Sequence, residues 1–166
     1  MTTFDEFLTA NQTYAQQFDR GDLPMPPARQ MLVLTCMDAR LHPEKTRGLE
    51  LGDAHVVRNA DGRASEDALR SVVISQRLLG TTEIVVLHHT DCGMETFTNE
   101  QLASNIKAEL GVDVGDRDFL PFPDLVQSVE DDVALLRDSP LISPTIPISG
   151  AIYDVRTGYV VQVIRA

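Results

Sequence analysis

The chain has 166 residues and a net charge of −11, with 14 Lys and Arg set against 25 Asp and Glu. Its length suits a single domain that buries roughly two thirds of its unfolded surface, and 43 % hydrophobic with 23 % charged residues is a globular composition. The acidic balance excludes a nucleic-acid partner, which calls for clustered Lys and Arg; lysine occurs only at Lys45 and Lys107. No apolar run approaches the ~18 residues of a membrane span, and no basic segment followed by an apolar core opens the chain. Cytoplasm is therefore the expected compartment. Without an export signal, a disulfide between Cys36 and Cys92 is a poor expectation.

In chain order, Thr3-Phe4-Asp5-Glu6 has the form of a capping box and predicts a helix start. Phe4, Phe7, Leu8, Tyr14 and Phe18 then recur roughly on one face. So aromatic a face on a terminal helix either packs on its own domain or reaches a partner subunit. Gly21 and prolines 24, 26 and 27 stop it, so residues 1–27 read as a helix and extended arm within one domain spanning 1–166. Residues 31–35 read as a strand, and Pro43 suits the first turn of a short helix ending at Gly48. Residues 54–57 form a second strand that delivers Arg58, Asn59, Ala60, Asp61 and Gly62 to its carboxyl end. Ser65 is an N-cap, with Glu66 and Asp67 in the first turn of a helix that runs to a stop at Gly80. A third strand covers 83–87. Thr98 and Gln101 form a second capping box, opening a helix with Leu102, Ile106 and Leu110 turned inward. After a loop over 112–123, Leu125, Val126, Val129, Val133 and Leu136 mark a last helix, ended by Ser139-Pro140. Residues 146–154 supply a fourth strand, with Pro147 near its start because it gives up a ladder donor, and a turn at 156–158 leads into a closing strand over 159–164. This alternation predicts an α/β fold: a central, mostly parallel sheet of four strands plus an antiparallel edge strand, flanked by helices.

The first strand ends in Cys36-Met37-Asp38-Ala39-Arg40 and the third in His88-His89-Thr90-Asp91-Cys92-Gly93. Ligands of open α/β sheets bind at the carboxyl ends of strands. If these two strands are neighbours, Cys36, His89 and Cys92 converge at one rim, as a Cys2His zinc site whose fourth position is left for water. Thiolate and imidazole select zinc over magnesium or calcium, and zinc-bound water supplies hydroxide near neutral pH. Asp38 could accept a hydrogen bond from that hydroxide and Arg40 could hold Asp38 ionised. From spacing alone, an ordinary loop ion pair is the simpler reading of Asp38 and Arg40. His88 would face the opposite side of the strand from His89 and pack in the core. His42 and His55 are expected as a surface and a strand-end residue.

Taken together, Cys36-Met37-Asp38-Ala39-Arg40, Arg58-Asn59-Ala60 and His89-Thr90-Asp91-Cys92-Gly93 closely resemble the β-class carbonic anhydrases. The short chain and the run from His88 to Met94 are similar to the small microbial subgroup, which also resembles carbonyl sulfide hydrolases. The likeness is strong over about residues 28–97 and looser through the Tyr153-Asp154…Thr157-Gly158 ending. It implies one zinc per chain on Cys36, His89 and Cys92, with Asp38 and Arg40 as the catalytic dyad. It also implies a homodimer or dimer of dimers, with the active site close to the dimer interface and the N-terminal helix packing on a partner subunit. In some members the aspartate equivalent to Asp38 leaves its arginine and takes the fourth zinc position.

Many members have Gly where this chain has Asp61. That could place another carboxylate near the pocket, but the expectation is that Asp61 faces solvent or caps a turn. The dyad and ligands serve both carbon dioxide hydration and carbonyl sulfide hydrolysis, so pocket shape decides between them; Met37, Ala39, Ala60, Met94 and Phe97 are the candidate walls. Carbon dioxide hydration is the first expectation and carbonyl sulfide hydrolysis the alternative. A non-catalytic, zinc-stabilised redox-sensing domain is the competing class, and such a domain has no use for an Asp38–Arg40 dyad.

Overall fold

The computed structural model describes residues 2–46 and 48–166. Strands β1 (Met31–Cys36), β2 (Ala54–Asn59), β3 (Glu83–His89), β4 (Ile148–Tyr153) and β5 (Val160–Ile164) form one sheet in the order β2-β1-β3-β4-β5. β1 runs parallel to both β2 and β3, β3 runs parallel to β4, and β5 closes the edge antiparallel to β4. The expected four parallel strands and antiparallel edge are therefore present. The strand order reverses at β1, with β2 on one side and β3 on the other. The carboxyl ends of β1 and β3 thus bound a topological switch point, where open α/β sheets place their ligands.

The helices are α1 (Thr3–Gln16), α2 (Pro43–Thr46), α3 (Glu66–Leu79), α4 (Asn99–Leu110) and α5 (Leu125–Asp138), with a single 3-10 turn over Gly93–Glu95. Ser65 Oγ accepts the Ala68 N–H at the start of α3, and Gly80 ends that helix in the left-handed region at φ 76°. Asp124 caps α5 by accepting the Gln127 N–H at 3.0 Å. Ala68 and Val72 of α3, and Val129, Val133 and Leu136 of α5, pack on Leu32, Leu34, Ile84, Val86 and Ile148 in one continuous core. Each fully buried Val, Leu or Ile contributes on the order of 1.5–3 kcal/mol. Gly150 sets how closely α5 approaches β4, because a Cβ there would lie 2.5 Å from Val129 Cγ1.

Two local expectations are corrected. The capping box of α1 begins one residue earlier: Thr2 Oγ1 accepts the Asp5 N–H at 3.2 Å and Asp5 Oδ2 accepts the Thr2 N–H at 2.7 Å. Two overlapping Thr-x-x-acid registers were available, and the first one closes. In α4, Leu102 and Ile106 are half-buried but Leu110 is 71 % exposed, and no residue of that helix is fully buried. The short helix expected to end at Gly48 is described over Pro43–Thr46, and Arg47, on which the rest of that expectation falls, lies outside the described residues.

No residue of α1 is buried. Its aromatic face, with Phe4 65 % and Phe7 62 % exposed, is turned away from the sheet of its own chain.

Candidate active site

β1 and β3 pair in register from Met31↔Glu83 to Thr35↔Leu87, which places Cys36 beside the end of β3. His89 is the last residue of β3, and Cys92 follows one turn later at the start of the 3-10 turn. One ligand atom each from Cys36, His89, Cys92 and Asp61 lies within 4.8 Å of the other three, and all four residues are buried. The three residues read from the sequence do converge. The fourth, Asp61, does not face solvent: its exposure is 0 %. It does sit in a turn, with φ 64°. That turn is folded under the end of β1 because Gly62 follows, at φ 81°, with its Cα so close to Thr35 that a Cβ would lie 2.7 Å from the Thr35 backbone.

The local chemistry favours a soft divalent cation. His89 Nδ1 lies 2.9 Å from the Thr90 carbonyl, which can only accept, so Nδ1 carries the proton. Nε2 is left as a bare lone pair, buried and without a hydrogen-bond partner among the described residues. That is the tautomer a metal-binding imidazole needs. Cys36 Sγ accepts backbone N–H groups from Asp38 at 3.4 Å and Asp61 at 3.2 Å. A hydrogen bond from the Cys92 thiol, opposed by burial and helped by His89 and the Asp38 N–H, brings the Cys36 thiol down to about 4. Cys92, as the donor of that bond and by its burial, is pushed up. The pair thus shares a proton that a cation would displace. Burial pulls the His89 imidazole down, but the Cys36 thiolate and the Thr90 carbonyl outweigh it and leave it raised. Burial pushes the Asp61 carboxyl up to about 6 against the opposing pull of His88. Two thiols, one imidazole and one carboxylate within this radius fit zinc.

Asp38 stands at the rim. Arg40 Nε donates to Asp38 Oδ1 at 3.0 Å and Arg40 Nη2 to Oδ2 at 2.8 Å, while the Arg40 backbone N–H donates to Oδ1 at 2.8 Å. The Arg40 guanidinium beside it holds the Asp38 carboxyl down at about 2. Asp38 Oδ2 lies 3.9 Å from His89 Nε2. Asp91 completes the pairing: its Oδ2 accepts from Arg40 Nη1 at 2.7 Å and its carbonyl accepts from Nη2 at 2.8 Å. Arg58 clamps the turn below, donating from Nε to the Cys36 carbonyl at 2.9 Å and from Nη2 to the Asp38 carbonyl at 2.7 Å.

Among the expected wall residues, Met94 packs with Cys36, Cys92, Leu41 and Phe122. Met37 is 67 % exposed at the rim. Phe97 instead lines a groove of about 310 Å³ with Thr98, Gln101, Pro121 and Phe122. His88 is buried in the core as expected, with Nδ1 2.8 Å from Ser128 Oγ. It also lies between two carboxylates, 3.1 Å from Asp61 Oδ2 and 3.1 Å from Asp132 Oδ2. His42 is exposed, and His55 reaches Ser75 Oγ at 2.7 Å. The sequence assigns no role to Asp91 or Arg58, and of the two places it offers Asp61, near the pocket or in solvent or a turn, the structure takes the pocket within a turn. A signal for Asp61 was present in Asp-Gly at a position where many relatives have Gly.

A family model described as carbonic anhydrase matches residues 31–112. The chain is 41 % identical over 160 residues to β-carbonic anhydrase 1 of Mycobacterium tuberculosis, covering 95 % of this chain and 96 % of that one. It is 34 % identical over 177 residues to a carbon disulfide hydrolase of Saccharolobus solfataricus, covering 92 % and 85 %. The crystal structure of a carbonic anhydrase from Streptococcus mutans superposes with a TM-score of 0.95 at 55 % identity, covering 98 % of each chain. On these matches, together with the fold and the four-residue cluster at its switch point, the chain belongs to the β-carbonic anhydrase family.

Proposed function

We propose that the protein catalyses the reversible hydration of carbon dioxide to bicarbonate, with one zinc per chain held by Cys36, His89 and Cys92. The observation that carries this reading is the convergence of those three donors beside an aspartate already paired with arginine. A zinc ion held by these three residues would lower the pKa of water to about 7 and so would supply hydroxide at neutral pH. Asp38, kept ionised by Arg40, accepts a hydrogen bond from the nucleophile and fixes which way its lone pair points. Arg40 aims Asp38 through parallel N–H donors and is itself fixed by Asp91, so the acceptor is preorganised. Met94 and Phe122 pack on the two cysteines and supply the apolar surroundings that suit a non-polar gas.

The exposed aromatic face of α1 supports a homodimer or dimer of dimers in which this helix lies on the partner, close to the rim formed by Met37 and Arg40. Two cysteines needed as free thiolates suit a reducing compartment, and the cytoplasm is the proposed location. No helix is long and apolar enough to cross a membrane among the described residues.

The test is metal analysis together with stopped-flow carbon dioxide hydration. Wild type should carry about one zinc per chain, and Cys36→Ala, His89→Ala and Cys92→Ala should each lose both zinc and activity. Full zinc occupancy in Cys92→Ala defeats the assignment. A second reading, hydrolysis of carbonyl sulfide or a similar sulfur-containing triatomic, is favoured by the carbon disulfide hydrolase relative. Specificity is a ratio of kcat/KM values, so both gases are measured on one preparation. A larger kcat/KM for hydrogen sulfide release than for carbon dioxide hydration reverses the order.

A further inference from the structure

We infer that the carboxylate of Asp61, not that of Asp38, closes the fourth position of the metal held by Cys36, His89 and Cys92. The inference rests on the ligand assignment proposed above and adds a residue to it. An Asp61 oxygen lies with the two sulfurs and the imidazole nitrogen inside a common 4.8 Å limit. The side chain is wholly buried, and neither carboxylate oxygen has a hydrogen-bond partner among the described residues. Buried carboxylates are paired or coordinate metals, and this one faces three metal donors.

The backbone holds it there. Asp61 donates its own N–H to Cys36 Sγ at 3.2 Å, and Gly62, lacking a Cβ, lets the turn lie directly against the Thr35 backbone. Asp38, in contrast, has both oxygens on Arg40 and would have to abandon them to bind metal. A closed set of four protein ligands is a resting arrangement, whereas catalysis needs one position for water. For turnover the Asp61 carboxylate would have to yield that position to water, an exchange with no change in oxidation state. His88 Nδ1, 3.1 Å from Asp61 Oδ2, is the neighbour onto which the carboxylate turns, and Ser128 and Asp132 fix that ring from α5.

The experiment uses full-length protein loaded with cobalt(II), whose visible bands report coordination, and thiocyanate as a probe anion for an open position. Gly and Asn both tolerate the positive φ at position 61, so Asp61→Gly and Asp61→Asn keep the turn. In wild type the bands should be insensitive to thiocyanate. In both Asp61 variants they should change and become thiocyanate-sensitive, with zinc affinity reduced about tenfold or more. Asp38→Ala should keep the wild-type cobalt bands and their insensitivity to thiocyanate. Unchanged bands in Asp61→Gly, a thiocyanate response of wild type equal to that of Asp61→Gly, or a response created by Asp38→Ala overturns the inference. Cobalt–thiolate bands unchanged in Cys92→Ala overturn the ligand assignment itself, and a protein that takes up no cobalt overturns both. Bands lost in Cys92→Ala yet identical with and without Asp61 overturn this inference alone.

Discussion

Behind the site, Arg63 Nε donates to Asp132 Oδ2 at 2.8 Å and Arg63 Nη1 donates to the Leu120 carbonyl at 3.1 Å. The guanidinium also lies 5.7 Å from the centre of the Phe122 ring. The Arg63 and Asp132 side chains are only 13 % and 4 % exposed, so water screens this pair little. Arg63→Ala strands the Asp132 carboxylate in the interior beside His88. Removing one partner of a buried pair costs about 3–5 kcal/mol. The lost contact with Phe122 is worth about 0.5–1 kcal/mol and falls within that spread. For a chain of this length each kcal/mol moves the melting temperature by about 2–4 °C, so Arg63→Ala should melt about 6–20 °C below wild type. Arg63→Ala/Asp132→Asn should recover part of that loss, because the uncompensated charge is gone. Scanning calorimetry at fixed protein concentration and metal load measures both, since each of those conditions shifts the melting temperature by mass action. A drop of less than about 2 °C for Arg63→Ala, or a double variant as unstable as the two singles summed, refutes the claim that Asp132 needs Arg63 as its counter-charge.

Other outcomes test the remaining elements. Asp38→Ala should keep its zinc and lose about 10²–10³-fold in kcat. Arg40→Ala should fall similarly, and wild-type turnover in both variants would leave the dyad an ordinary ion pair. Deleting residues 1–22 should give a poorly soluble or inactive protein by size-exclusion chromatography and hydration assay; a stable, active monomer would overturn the assembly argument. The Asp5 carboxyl is held below its ordinary 3.8 by the backbone and side-chain hydrogen bonds from Thr2. A depressed value means that its support of α1 is complete above the ordinary carboxylate range and is lost as pH falls through the lower, folded-state value. Amide exchange in the first turn of α1 should therefore quicken only in acid, and an NMR titration of Asp5 at or above 3.8 would contradict this.

The parts legible in the sequence are those where residue type and local period coincide. β1 and β3 read as apolar runs ending in metal-binding side chains. Once the alternating pattern implied a parallel sheet, neighbouring strands would bring Cys36 and His89 to one edge. The caps at Ser65 and Thr98 and the stops at Gly80 and Gly111 were local hydrogen-bonding signals, and the structure places them there. Asp61 was not legible, because its burial depends on a tertiary fact: Gly62 lets the turn pass under Thr35. A carboxylate before glycine at a strand end reads as an exposed turn until that approach is known. Arg58 and Asp91 were missed for a related reason. Their partners are the Cys36 and Asp38 carbonyls and the Arg40 guanidinium, reached across the sheet from other strand ends. Leu110 misled because its spacing fits an inner face, while the helix carrying it has no fully buried residue at all.

Asp38 and Asp61 approach the same donor cluster from opposite surroundings, and the difference argues for a division of labour. Asp38 is at the rim, where its carboxylate satisfies Arg40 through both oxygens and Arg40 is held in turn by Asp91. A group so thoroughly paired is a rigid acceptor: it orients whatever binds beside it without moving. Asp61 has no such partner and is enclosed by Cys36, Cys92 and His88, so its free energy falls when a cation arrives and rises again when water displaces it. The first arrangement suits directing a nucleophile, the second suits guarding a metal between turnovers. Exchanging the two roles would require Arg40 to surrender its fork and the Gly62 turn to open, two costs that the observed packing sets against it. His88 ties the division to the fold, since the ring that faces Asp61 is held by Ser128 and Asp132 of α5, and Asp132 is held by Arg63. Destabilising Arg63 should therefore loosen the guarding carboxylate before it disturbs the Asp38–Arg40 pair, which among the described residues meets that network no nearer than Cys36 Sγ, the shared acceptor of the Asp38 and Asp61 N–H groups.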